Sequence, residues 1–136
     1  MIPRGIRNNN PLNIRIGNKW KGETPVNTDG AFEQFTKMEY GVRAAFILLR
    51  RYINRYGLNT VEKIVTRWAP RNENNTERYI ERVCNYMSIF PTTKIVFEDE
   101  ATMFALVDAM AIVECGQSIS FDVIRAGYTL ATLETT

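Results

Sequence analysis

Glu114 is the residue whose type and position most clearly suggest chemistry. It follows the apolar stretch 101–113 and precedes the segment CGQS. A carboxyl group at the end of a buried helix loses part of its hydration, and the C-terminal end of the helix dipole is negative. Both effects raise the pKa of the carboxyl group, as a general acid requires to hold its proton near neutral pH. The alternative is a solvated glutamate at a helix that simply ends at Gly116.

Three other glutamates compete for a chemical role. Glu33 lies between two aromatic residues in GAFEQF, where the rings could exclude water from it. Glu39 precedes a long helix, where the dipole already favours an acidic residue. Glu73 lies in a polar loop and is explained by ordinary solvation. We therefore take Glu114 and Glu33 as the candidate catalytic residues.

Amide and aromatic side chains could line a carbohydrate site. Sugar faces stack on aromatic rings, and hydroxyl and N-acetyl groups hydrogen-bond to amides. For the two tryptophans, core packing is the alternative. The candidate glycan-binding residues are Asn8, Asn9, Asn10, Asn13, Trp20, Trp68 and Tyr79.

Composition limits the chemistry that these residues can do. The chain has no histidine and two cysteines, Cys84 and Cys115. The missing histidine excludes Ser-His-Asp and Cys-His mechanisms in their common forms. Two cysteines fall short of the four ligands typical of zinc sites, so we expect no metal and no cofactor. Their alternative role is that of small buried residues, and the sequence leaves their pairing open.

Length and charge are those of a small globular protein. The 136 residues suit one domain, 1–136, and no repeat or linker divides it. A net charge of +2 is too small to argue for nucleic acid as a partner. The N-terminus lacks the apolar core of a signal peptide, and no run approaches the roughly 20 apolar residues of a membrane span. We therefore expect cytoplasmic synthesis without a signal peptide and no membrane span.

Hydrophobic periodicity predicts a mainly α fold of about five helices. The stretch 101–113 is apolar on nearly every side, which places its helix in the core. Expected caps are Thr60, Ser120 and a capping box formed by Asn74 and Glu77. The predicted helices are GVRAAFILLRRYINRY (41–56), VEKIVTRW (61–68), TERYIERVCNYM (76–87), EATMFALVDAMAIVE (100–114) and FDVIRAGYTLATL (121–133).

The first 35 residues predict irregular structure instead. RGIRNNNPLNIR (4–15) is rich in Asn and Pro, which favour turns and local side-chain-to-backbone hydrogen bonds. The following segment alternates turn residues with single aromatics, a pattern typical of loops or a short hairpin ending near Phe32 and Phe35.

Two segments resemble enzymes of the lysozyme superfamily. NNNPLNIRIGNKWKGE followed by YGVRAAFILLRRY is similar to bacterial cell-wall glucosaminidases, which have Asn-Asn-(Leu/Pro)-x-x-Ile-(Lys/Arg), then Trp-x-Gly, an aromatic element and a helix. NNTERYIERV resembles the Glu-Thr-Arg-x-Tyr-Val-x-x-Val helix of soluble lytic transglycosylases, with Tyr79 and Val83 kept. The whole chain also resembles a family of phage and prophage virion proteins that share RGIRNNNP and WAPxxENxT.

The resemblance implies a catalytic glutamate within an Ala-Ile-x-Glu-Ser-Gly type of sequence before the asparagine stretch. Only residues 1–7 precede the asparagines here, whereas AIVECGQS (111–118) has that character near the other end. We therefore hypothesise a circularly permuted lysozyme-like domain in which the N-terminal loop meets Glu114 in space. Cys115 replaces the family's Ser, and Gln117 and Ser118 stand where an aromatic is often found.

The activity implied by the resemblance is cleavage of peptidoglycan glycan strands, of muramidase, glucosaminidase or lytic transglycosylase type. Glu114 would be the general acid and Glu33 the best second carboxylate. The alternative is a non-catalytic virion structural or glycan-binding protein that keeps a lysozyme-like scaffold. Expected partners are peptidoglycan or another N-acetylated glycan and other virion proteins, with a location in the virion or at the cell wall. A third interpretation, a nucleic-acid-binding helical domain, is supported only by the arginines.

Overall fold

The computed structural model describes residues 1–133, and residues 134–136 of the predicted domain lie outside the described part. The described residues form no β-strand, only two isolated antiparallel bridges, Arg15 with Phe32 and Glu23 with Phe35. The mainly α fold class expected from the sequence is therefore confirmed. The helices are α1 (Arg4–Arg7), α2 (Met38–Arg50), α3 (Val61–Trp68), α4 (Thr76–Met87), α5 (Glu100–Cys115) and α6 (Phe121–Thr132).

The five longer helices lie where periodicity predicted them, and α1 is an additional single turn. α2 continues into a π-helical turn, Arg51–Arg55, after which Gly57 takes a left-handed conformation (φ +68°). This is the position predicted for the helix stop, and glycine adopts it without a steric penalty.

Side chains cap the N-termini of three of these helices, α3 by Thr60, α4 by Asn75 and α5 by Asp99. Thr60 Oγ1 accepts a hydrogen bond from the Lys63 N–H, as predicted. The cap of α4 is Asn75, which accepts from the Arg78 N–H, so the predicted capping box starting at Asn74 is wrong by one position. Ser120 precedes α6 but makes no capping hydrogen bond with its side chain.

The core lies between α2, α5 and their neighbours, and the buried apolar side chains form one cluster. On α5, Met103, Leu106 and Met110 are completely buried, as its all-round apolar sequence predicted. α2 packs closely against α6 at Gly127, where an added Cβ would lie 2.4 Å from Val42. Within residues 1–133, no helix combines the length and apolarity needed to cross a bilayer.

The irregular N-terminal region is built around buried amides instead of a hairpin. Asn10 is fully buried, and its side chain hydrogen-bonds to both the N–H and the C=O of Ile14 and to the C=O of Glu33. Asn9 and Asn13 have positive φ angles of 52° and 53°, which asparagine tolerates better than most residues. The Asn-rich sequence therefore forms an ordered loop whose turns depend on these side chains.

Candidate active site

Glu114 lies in the last turn of α5, and its carboxyl group is held from both sides. The Asn13 Nδ2–H donates to Glu114 Oε1 at 3.0 Å, and the Tyr79 hydroxyl donates to Oε2 at 3.0 Å. These donors come from the N-terminal loop and from α4. The three side chains thus fix one another, although 101 residues separate Asn13 from Glu114.

Burial raises the pKa of Glu114, even though the hydrogen bonds from Asn13 and Tyr79 and the charge of Arg15 act to lower it. The direction is the one expected from the sequence. Tyr79 is itself buried, and burial together with the nearby Glu114 raises its pKa well above the ordinary value. Tyr79 therefore remains a neutral donor, and Glu114 retains its proton to a higher pH than an exposed glutamate does.

Cys115 joins the end of α5 to the N-terminal loop. Its thiol lies 3.1 Å from the carbonyl oxygen of Pro11, to which it can donate. Gly5 of α1 approaches so closely that an added Cβ would lie 2.3 Å from Cys115 Sγ. Burial raises the pKa of the Cys115 thiol to about 11, and both cysteines are unpaired. The contacts of Cys115 with Pro11 and Gly5 therefore help to position Glu114, the residue before it in the sequence.

A cavity of about 310 Å³ opens beside Glu114. Trp68 and Tyr52 form part of its apolar wall and meet edge to face, with ring centroids 5.8 Å apart. The indole N–H of Trp68 donates to the Leu12 carbonyl at 3.3 Å, so the N-terminal loop fixes this ring. The polar residues that line the cavity with Glu114 are Asn13, Arg15, Asn18, Glu73 and Asn74. A cleft of this composition can bind a sugar through stacking and through amide hydrogen bonds.

The residues predicted to bind glycan divide into two groups. Asn13, Trp68 and Tyr79 lie at Glu114 or in the cavity wall. Asn8, Asn9, Asn10 and Trp20 do not line it. Asn8 bonds to Asp29 and Gln34, Asn9 to the Phe35 carbonyl, and Trp20 is a core residue only 8% exposed. These four residues hold the loop that carries Asn13.

Glu33 is buried, as its aromatic neighbours suggested, but it lies outside the lining of this cavity. Desolvation raises the pKa of its carboxyl group, and the nearby Glu23 raises it further. Backbone N–H groups of Gly17 and Asn18 donate to it and oppose the shift. Glu33 therefore belongs to the interior of the loop region.

We predict that Glu33→Gln stabilises the protein at about pH 8 and gives much less gain at about pH 4. The raised pKa means that ionised Glu33 is less favourable in the folded state than in the unfolded state. Stability is consequently lost as pH rises from the unfolded pKa through the folded pKa, and a neutral amide avoids that loss. Denaturant unfolding at both pH values measures the difference. Glu81→Gln, at an exposed position of α4, is the control, and an equal gain at both pH values would contradict the assignment.

Sequence reasoning missed the roles of Arg15, Glu73 and Asn74 in this cavity. The segment RNENN (71–75) begins two residues after the helix that ends at Trp68, so the position of the tryptophan was the available signal. Ordinary loop solvation explained Glu73 equally well, and only the folded chain brings it to the same cleft as Glu114.

The fold and this site define a small all-α protein with a half-buried carboxyl group of raised pKa in an amide- and aromatic-lined cleft. The chain is 40% identical over 130 residues to Protein P5 of Pseudoalteromonas phage PM2, a match that covers 92% of this chain and 79% of that protein. It therefore belongs to the family of this phage protein. No family model matches the chain. The name of the relative specifies no reaction.

Proposed function

We propose that this protein cleaves the glycan strands of peptidoglycan, with Glu114 as the general acid. The observation that supports this best is the pairing of Glu114 with Asn13 and Tyr79 at the wall of a sugar-sized cleft. The raised pKa of Glu114 agrees with a role as proton donor. Carboxylic acids of this kind protonate the leaving oxygen in glycosidic cleavage.

In this mechanism, Glu114 transfers its proton to the glycosidic oxygen as the bond to the anomeric carbon breaks. The carboxylate left behind is stabilised by the donors of Asn13 and Tyr79. The reaction is completed when a hydroxyl of the substrate or a water attacks the anomeric carbon and gives its proton to the Glu114 carboxylate. Where the substrate's own N-acetyl oxygen attacks first, that hydroxyl or water opens the cyclic intermediate that results. Glu73 lines the same cavity and is better placed than Glu33 to orient a water. Hydrolysis and anhydro-sugar formation differ only in this second step.

We also propose that residues 1–136 form one lysozyme-like domain, circularly permuted so that the helix carrying the acid follows the loop that faces it. The hydrogen bond between Asn13 and Glu114, and the contact of Cys115 with Pro11, support this arrangement because they join the two ends of the chain at the cleft.

We predict that Tyr79→Phe shifts the descending limb of the pH–activity profile to higher pH. The hydroxyl donates to Glu114 and so lowers the pKa of that carboxyl group. Without this donor, the acid keeps its proton further into the alkaline range. The profile of kcat/KM against pH measures the shift. A limb that stays in place in a folded variant would show that Tyr79 does not act on the proton donor.

A second candidate function is that of a non-catalytic phage virion protein that binds glycan or serves as structure. Membership in the family of a phage protein favours a role as part of a phage particle. The cleft would then bind N-acetylated strands without cutting them. Its location would be the virion, where peptidoglycan and other virion proteins are the expected partners.

One experiment separates the two candidates. Purified protein is incubated with peptidoglycan strands, and mass spectrometry identifies any fragments released. Fragments support cleavage, and their new ends show which bond breaks and whether an anhydro sugar forms. Strands bound in a pull-down without release of fragments support the non-catalytic role. If the protein neither binds the strands nor releases fragments, cleavage and glycan binding are both ruled out, and only the structural role is left.

A further inference from the structure

We infer that Arg15 binds a carboxylate group of the glycan strand and so makes the cleft prefer acidic strands to uncharged polymers of N-acetylated sugars. The inference rests on the proposed function, because it concerns the substrate of the same cleft. It assigns to Arg15 the role of a specificity-determining residue.

Arg15 is the only cation among the described residues that line the cavity. Its side chain is exposed, and no carboxylate within residues 1–133 pairs with its guanidinium group. An arginine presents five N–H donors in a planar fork that matches a carboxylate. These donors are therefore available to a ligand at the mouth of the cleft.

The position of Arg15 is fixed by Phe32. The guanidinium carbon lies 5.1 Å from the centroid of the Phe32 ring, and the backbones of the two residues form an antiparallel bridge. Stacking on an aromatic ring restricts the side chain, so less entropy is lost when a ligand binds. Phe32 thus holds Arg15 in position before any ligand binds.

Arg4 lies over the same ring but, unlike Arg15, already pairs with a carboxylate. Its guanidinium carbon lies 4.6 Å from the Phe32 centroid, yet it forms a bidentate pair with Asp29. The hydrogen bonds from Arg4 and then Asn8 hold the pKa of Asp29 well below its usual range. The charge of Arg4 is neutralised within the protein, whereas that of Arg15 is left for an external partner.

Peptidoglycan supplies carboxylates from the peptides that are amide-linked to the lactyl groups of alternate sugars or, where a peptide has been removed, from the lactyl group itself. A polymer of N-acetylglucosamine supplies none. A bound carboxylate would also partly neutralise Arg15, whose charge lowers the pKa of Glu114. An acidic substrate would then help the general acid to keep its proton.

The test measures equilibrium binding of strands to the protein in the Glu114→Gln background, with and without Arg15→Gln. Three preparations distinguish the sources of charge: strands with stem peptides, strands stripped by an amidase so that the lactyl carboxylate is free, and strands whose carboxyl groups are converted to neutral amides. We expect Arg15→Gln to weaken binding of the charged strands about tenfold and to leave binding of the neutral strands unchanged. Of the two charged preparations, the one whose binding is weakened more by Arg15→Gln contains the carboxylate that Arg15 binds.

Arg125→Gln is the matched control, because Arg125 also lies over a phenylalanine ring, Phe121 at 5.7 Å, but outside the cavity lining. It removes the same charge and should not affect any preparation. An equal loss on neutral and charged strands, or no loss at all, would overturn the role of Arg15. If charged strands bind through Arg15 but the parent protein releases no fragments, cleavage fails while the inference stands. If no preparation binds, both fail.

Discussion

Replacing Glu114 with glutamine is expected to abolish release of glycan fragments while the protein stays folded. Glutamine has no proton to donate near neutral pH, and a positioned general acid contributes roughly 10²–10⁴-fold to the rate. Cleavage that depends on Glu114 should therefore fall by at least the lower of these factors. The rate of fragment release from purified peptidoglycan measures the effect.

The fold should survive because the amide can keep both hydrogen bonds of the carboxyl group. Its oxygen accepts from the Asn13 amide, and its NH₂ group donates to the Tyr79 hydroxyl, which accepts as readily as it donates. Burial disfavours the ionised form of Glu114, so the neutral amide also removes a source of instability at alkaline pH. We expect a thermal midpoint at or above that of the parent.

Glu81→Gln provides the control, because it makes the same chemical change at an exposed site on α4. It should clear peptidoglycan at the parental rate. If Glu114→Gln clears walls as fast as the parent, Glu114 is not the proton donor and the proposed mechanism is wrong.

The helices were predictable because their signals are local. Apolar residues at three- and four-residue steps, a capping threonine at Thr60 and a stop at Gly57 lie within or next to the elements that they define. The all-round apolar sequence of α5 likewise indicated its burial without knowledge of its neighbours.

The N-terminal region was not predictable at the same level, because its partners lie far away in the chain. The amide of Asn10 bonds to Glu33, 23 residues later, and Asn9 bonds to the carbonyl of Phe35. Residue type alone indicated hydrogen bonding to backbone, but it did not distinguish an amide that binds a ligand from one that holds a loop. Asn8, Asn9 and Asn10 hold the loop, and Asn13 faces the acid.

The identity of the second carboxylate of the cleft, Glu33 or Glu73, was likewise not predictable from local sequence. Burial of Glu33 followed from the two aromatic residues near it, but burial alone did not show that its side chain lies outside the cleft. Glu73 had no distinguishing neighbour within its own segment, and it reaches the cleft because the loop after α3 follows Trp68 to the cavity. The composition of the cleft therefore depends on tertiary packing.

Gly41→Ala is expected to destabilise the protein by roughly 3 kcal/mol, at the upper end of overpacking effects. Alanine in a helix is ordinarily preferred to glycine by about 1 kcal/mol, so local propensity predicts the opposite sign. Here an added Cβ would lie 1.8 Å from the backbone oxygen of Asn9. Denaturant unfolding of the variant and the parent measures the change.

The clash cannot be relieved cheaply, because the backbone that α2 meets is tied on both sides. The Asn9 side chain donates to the Phe35 carbonyl, and the amide of Asn10 bonds to Ile14 and Glu33. Gly17→Ala is the control, since an added Cβ at Gly17 meets no atom within 4 Å and its stability should be nearly parental. The same loop carries Asn13 to Glu114, so Gly41→Ala should reduce fragment release as well as stability. A variant as stable as the Gly17→Ala control would mean that the loop yields, and that the close approach to α2 does not hold Asn13 at the acid.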